Sequence, residues 1–145
     1  MSRWALIPVK GFDRGKSRLS TVLPPNERAA LSRELFEHVV RVLKDSPSID
    51  GIATVTDSNE VREHAERLGA VALEDAEGNQ GLADIVDTAL EELEARGATR
   101  VLICMSDLPE LAREDIESVS RQLEEADVVL VPDLLHRGTN VVALR

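Results

Sequence analysis

Apolar residues return along this chain in two alternating rhythms: short runs of Val, Ile and Leu, and longer stretches with an apolar position every three or four residues. That alternation predicts an α/β domain, a mostly parallel sheet with helices on both faces. The runs Trp4 to Val9, Ile52 to Val55, Ala70 to Leu73, Val101 to Met105, Val128 to Pro132 and Val141 to Leu144 read as strands. Leu31, Leu35, Val39 and Leu43 repeat every four residues along one helix, which Asn26 is placed to cap. Ser58 or Asn59 caps a second helix running to Leu68, with Gly69 just past its end. Leu82, Ile85, Val86, Ala89, Leu90 and Leu93 make the buried stripe of a third, which Gly97 ends, and a fourth runs from about Glu114 to Glu125. The 101–105 run is apolar at every position, as expected of a central strand covered on both faces. Right-handed crossovers would gather the loops after such strands along one edge, where ligands of open α/β sheets bind.

Length and composition narrow the function. The 145 residues fit a single domain over 1–145, long enough to bury roughly two thirds of the unfolded surface. With a 43% hydrophobic share and only 2% aromatic residues, the core is aliphatic and few rings remain for stacking bases. The net charge of -10 opposes a polyphosphate backbone, so nucleic acid is not an expected partner. A small anion is still compatible, because a few cations and backbone N–H groups can dominate one cleft. The single cysteine, Cys104, cannot form an internal disulfide and lies in an apolar run, which fits a reducing, cytoplasmic setting. Neither a signal-peptide layout nor an apolar run approaching the roughly 18 residues of a membrane span is present, so no membrane partner is expected.

Three polar clusters follow predicted strands. Lys10-Gly11-Phe12-Asp13-Arg14-Gly15-Lys16-Ser17-Arg18 packs four cations and two glycines into nine residues of an acidic chain. Such a loop can bring ammonium, guanidinium and backbone N–H donors to a triphosphate, although a solvated loop pairing with nearby carboxylates has the same composition. It lacks the P-loop pattern. Ser106-Asp107-Leu108-Pro109 ends the most apolar strand, where one carboxylate on a rigid support suits Mg²⁺; the alternative is that Asp107 caps the next turn. Pro132 to Asn140 forms a polar turn between two strands, in which Thr139, Asn140, Arg137 and the N–H groups around Gly138 can hold a phosphate or carboxylate, or simply close a hairpin. The histidines show no zinc-ligand spacing, Cys104 has no neighbour that would activate a thiol, and Glu91, Glu92 and Glu94 read as a solvated helix face.

Taken in order, Ile7-Pro8-Val9-Lys10, Lys16-Ser17-Arg18-Leu19, Asn26-Glu27-Arg28-Ala29-Ala30-Leu31, Ser106-Asp107-Leu108-Pro109 and Gly138-Thr139-Asn140 resemble the 2-phospho-L-lactate guanylyltransferase family. Its members also use phosphoenolpyruvate or 3-phosphoglycerate, and they serve the biosynthesis of the deazaflavin coenzyme F-420. The resemblance implies a Rossmann-like, GT-A-like fold of the nucleotide-diphospho-sugar transferase type, similar to molybdenum-cofactor guanylyltransferase. It implies Lys10, Lys16 and Arg18 on the nucleotide phosphates, with Lys16 and Arg18 catalytic, Asp107 on Mg²⁺, and Thr139 with Asn140 at the phospho-acid. Gly81, at the end of the Gly78 to Gly81 loop, is placed by the same resemblance near the base or ribose. The family's domain runs on for about another third, with a glycine-serine acceptor loop and a late pair of aspartates, so a C-terminally truncated domain is expected here, as a fragment or as a shortened relative. The expected partners are GTP and a small phospho-acid, with homodimerisation left open. The rivals are a non-catalytic nucleotide-binding or interaction domain and a nucleotidyltransferase of the molybdenum-cofactor type.

Overall fold

The structure of the protein, a computed structural model, describes residues 2–12, 22–75 and 81–145. Within them the chain runs β1 (Arg3–Pro8), α1 (Pro25–Lys44), β2 (Gly51–Thr56), α2 (Asn59–Arg67), β3 (Val71–Glu74), α3 (Leu82–Ala95), β4 (Arg100–Cys104), α4 (Arg113–Glu125), β5 (Val128–Pro132) and β6 (Thr139–Leu144). The strands form one sheet in the order β3-β2-β1-β4-β6-β5. The four from β3 to β4 are parallel, whereas β6 runs antiparallel to both β4 and β5. The sheet is therefore mostly parallel, as the alternation of elements predicts.

Alternation along each central strand divides the core in two. Ala5 and Ile7 of β1 and Leu102 and Cys104 of β4 pack with α1, α2 and α4, while Leu6, Val101 and Ile103 face the other way, towards α3. All five β4 residues are buried, as the unbroken apolar run requires. In register with Trp4 stands Gly51, where an added Cβ would lie 2.6 Å from the indole; a side chain there would displace the ring.

Several local expectations change. The α1 cap is Pro24 rather than Asn26, because Pro25 occupies the first helical position, where its fixed φ and missing N–H cost nothing. The buried stripe of α1 is Phe36, Val39, Val40 and Leu43, with Leu31 and Leu35 only half-buried. A strict four-residue repeat advances about 40° per step beyond a full turn, so it drifts off the core face. Ser58 caps α2, its hydroxyl accepting the Val61 N–H at 3.3 Å, and Gly69 and Gly97 adopt positive φ just past α2 and α3. In α3, Ala89 and Leu93 are buried and Ile85, Val86 and Leu90 pack partly against them, but Leu82 in the first turn is exposed. Thr139 and Asn140 belong to a strand rather than to the preceding turn. Among the described residues no helix is long and apolar enough to cross a membrane.

Candidate functional site

The carboxyl ends of β1 and β4 lie side by side, since Leu6 pairs with Ile103. Because β6 is antiparallel, it is the beginning of that strand that reaches the same edge: Val141 pairs with Cys104, and the Met105 N–H donates to the Asn140 carbonyl at 3.1 Å. Lys10, Asp107, Thr139 and Asn140 are thereby drawn to one end of the sheet from three separate stretches of sequence. Gly81 caps the start of α3 and lines neither of the cavities described next. Lys16 and Arg18 fall outside the described residues.

Asp107 is exposed on the ridge between two cavities. One, of ≈ 240 Å³, is lined by Pro8, Val9, Lys10, Gly11, Phe12, Ser32, Met105, Ser106 and Asp107. At about 30 Å³ per liquid water it has room for several waters or a small polyanion. The other, of ≈ 700 Å³, opens between α4 and the β5–β6 pair and includes Asp107, Asp115, Ser118, Gln122 and Asn140. Helix α4 has its own cap, the Asp115 carboxylate accepting the Ala112 N–H at 2.9 Å, so Asp107 does not serve as that helix's cap. The segment between them is tied down through a contact of 3.0 Å between His38 Nε2 on α1 and the Leu111 carbonyl.

Two features escape sequence reasoning. Phe12, inside the basic cluster, is buried to 1% exposure, with its ring 5.9 Å from those of Phe36 and His64 and the Arg33 guanidinium 5.5 Å from its centroid. His64 Nε2 lies 2.7 Å from Glu37 Oε1, so charge surrounds this aromatic plug. Phe12 anchors the start of the basic loop to α1 and α2; its scarcity, one of two Phe in the chain, was the available signal. The second is Ser32, a polar residue inside α1 that sequence alone does not single out.

The β5–β6 turn carries its own anion. Asp133 Oδ1 accepts the N–H groups of Leu135 and Arg137 at 3.1 and 3.0 Å, and the Asp133 N–H donates to the Gly138 carbonyl at 2.9 Å. Donors that a bound phosphate would need are thus partly used, which leaves the side chains of Thr139 and Asn140 as the chemistry offered from this strand. Neither histidine nor thiol chemistry is indicated. Burial pushes the Cys104 thiol up to about 12, and among the described residues no group of three or more His, Cys, Asp or Glu is arranged to hold a metal.

Residues 3–145 match the family model described as guanylyl transferase CofC like. The phosphoenolpyruvate guanylyltransferase of Sphaerobacter thermophilus is 36% identical over 145 residues, covering all of this chain and 69% of that protein. The 2-phospho-L-lactate guanylyltransferase of Methanothermobacter thermautotrophicus is 32% identical over 145 residues, covering 63% of that protein. The chain thus spans about two thirds of the length of these curated relatives. Among solved structures, a Desulfovibrio desulfuricans protein assigned to the nucleotide-diphospho-sugar transferases superposes over the whole chain with a TM-score of 0.82 at 20% identity, covering 64% of that chain. CMP:2-keto-3-deoxy-manno-octonic acid synthetase, complexed with CTP, gives 0.67 at 14% identity, covering all of this chain and 74% of that one. The chain shares the fold of these two solved structures, and it belongs to the CofC-like guanylyl transferase family.

Proposed function

We propose that this chain is a guanylyltransferase that transfers GMP from GTP to a small phospho-acid and releases pyrophosphate. The observation that carries it is the position of Asp107 on a ridge between two cavities, Lys10 and Ser32 on one side and Asn140 on the other. Two substrates meeting at one metal-bearing carboxylate need this layout. The triphosphate would lie on the Lys10 side, with Lys16 and Arg18 completing the cationic set, and the acid on the Asn140 side beside Thr139. Gly81, at positive φ and with open space where a side chain would begin, leaves room for the base or ribose at the start of α3.

In the reaction a phosphate oxygen of the acceptor attacks the α-phosphorus, a P–O bond forms, and the bond to the β-phosphate oxygen breaks in line. The cations stabilise the negative charge that passes to pyrophosphate, and positioning supplies most of the acceleration. A single hard carboxylate fits Mg²⁺ when substrate phosphates and water supply the remaining oxygens. Bound there by Asp107, the ion would neutralise the triphosphate. The acceptors favoured by the family are phosphoenolpyruvate, 2-phospho-L-lactate and 3-phosphoglycerate, and the product would enter assembly of the deazaflavin coenzyme F-420.

The test is pyrophosphate release with each nucleoside triphosphate against each of the three acids, in Mg²⁺. Release confined to GTP and one or more of the acids is expected. Binding of GTP without release under any combination would leave a nucleotide-binding domain and refute the transferase assignment.

A further inference from the structure

Four hydroxyl side chains lie within the described helices, and three of them have partners. Thr88 Oγ1 donates to the Asp84 carbonyl at 3.0 Å, Ser120 Oγ meets Ser48 Oγ at 2.9 Å, and Ser118 Oγ accepts from Gln122 at 3.3 Å. Ser32 Oγ is buried and has none. The usual outlet for a helical hydroxyl is the carbonyl four residues back, the bond that Thr88 makes, and Ser32 does not take it. An unsatisfied buried hydroxyl is costly enough that most are paired, so its persistence calls for a partner absent from the chain itself.

Its location says what that partner is. Ser32 lines the ≈ 240 Å³ cavity together with Lys10, Ser106 and Asp107. Arg28, four residues earlier and so on the same helical face, also has a buried Nε without a partner. The Lys10 ammonium and the Ser32 and Ser106 hydroxyls at this cavity can all donate, and donors gathered at a cavity call for an oxyanion.

We propose that Ser32 is a further substrate-binding residue of this site, its hydroxyl donating to a phosphate oxygen of the nucleotide held beside Lys10. This rests on the assignment of the smaller cavity to the triphosphate. Helix α1 then contributes to one wall of the site rather than to packing alone, through Ser32.

The experiment is titration of the protein, Ser32→Ala and Ser32→Thr with GTP and with inorganic tripolyphosphate, each in Mg²⁺, beside thermal melting without ligand. Ser32→Ala should lose about tenfold in affinity for both ligands, the factor expected for one hydrogen bond to a charged group. Its melting temperature should not fall, since an unsatisfied hydroxyl has been removed. Ser32→Thr, which keeps the hydroxyl, should recover most of the affinity. GTP binding in Ser32→Ala within twofold of the unsubstituted protein, a loss that tripolyphosphate does not share, or no recovery in Ser32→Thr would each overturn the inference while leaving the transferase assignment standing. No binding of GTP by the unsubstituted protein would overturn both.

Discussion

Alkaline titration of Cys104 gives a quantitative test of how tightly β4 is packed beneath Asp107. The thiol is fully buried, and burial raises it from 9.0 to about 12. The folded chain therefore keeps this proton at pH values where the unfolded chain has lost it. The resulting stabilisation is complete below about pH 9 and disappears as pH rises towards 12, because ionisation then pulls the equilibrium to the unfolded side. Fully expressed, the difference amounts to roughly 4 kcal/mol, of which about 2 kcal/mol is lost by pH 10.5. Cys104→Ala removes the titration and costs about 1 kcal/mol at neutral pH through the lost buried volume. The two proteins should exchange rank: the parent is more stable at pH 7 by about 1 kcal/mol and less stable at pH 10.5 by a similar amount. Urea unfolding followed through the single tryptophan, Trp4, measures this, and the background is quiet because the chain has no tyrosine and only Lys10, Lys16 and Lys44 among its lysines. Parallel stability curves for the two proteins across that pH range would refute the burial and the linkage together.

Three further outcomes are expected. Asp107→Asn, at an exposed strand end, should melt within about 2 °C of the parent, as for a surface change of at most ~0.5 kcal/mol, yet lose Mg²⁺-dependent GTP affinity by calorimetry; unchanged affinity would reduce Asp107 to a structural residue. Lys16→Ala should weaken GTP more than guanosine, and raising ionic strength should reproduce part of the loss, since exposed charges are screened over about 8 to 10 Å; equal losses for both ligands would remove Lys16 from the phosphates. Phe12→Ala should cost about 3 to 5 kcal/mol in urea unfolding, and a cost below about 1 kcal/mol would show that the ring is not the anchor of its loop.

Much of the fold is legible because apolar periodicity reports burial directly. The unbroken run in β4 announces a strand covered on both sides, and Gly69 and Gly97 mark helix ends because their backbones take a conformation that side chains resist. Direction is not written in the same way: Val141 to Leu144 reads as a strand, but nothing in four apolar residues says that it runs antiparallel. The candidate site was legible as far as charge stood out against the acidic chain, at Lys10, and a carboxylate closed an apolar strand, at Asp107, two residues that line one cavity. Ser32 was not, since a serine in a helix differs from its neighbours only through what fails to bond with it, a property of three-dimensional surroundings. Phe12 was hidden for the opposite reason, a core residue set inside the most polar stretch of the chain.

The reversed strand at the edge of the sheet also bears on how this protein can be altered. Thr139 pairs with Pro132 beside a register shift, the Asn140 carbonyl accepts the Met105 N–H, and Asp133 closes the turn with its own hydrogen bonds. Residues 134–136 at the tip are exposed, and His136 already tolerates a left-handed backbone at φ 54°. Doubling a loop of this kind costs only about 0.6 kcal/mol in closure entropy. The tip can therefore be treated as an interchangeable cassette, one that a library could lengthen or recode near the larger cavity while the scaffold that presents it stays unchanged.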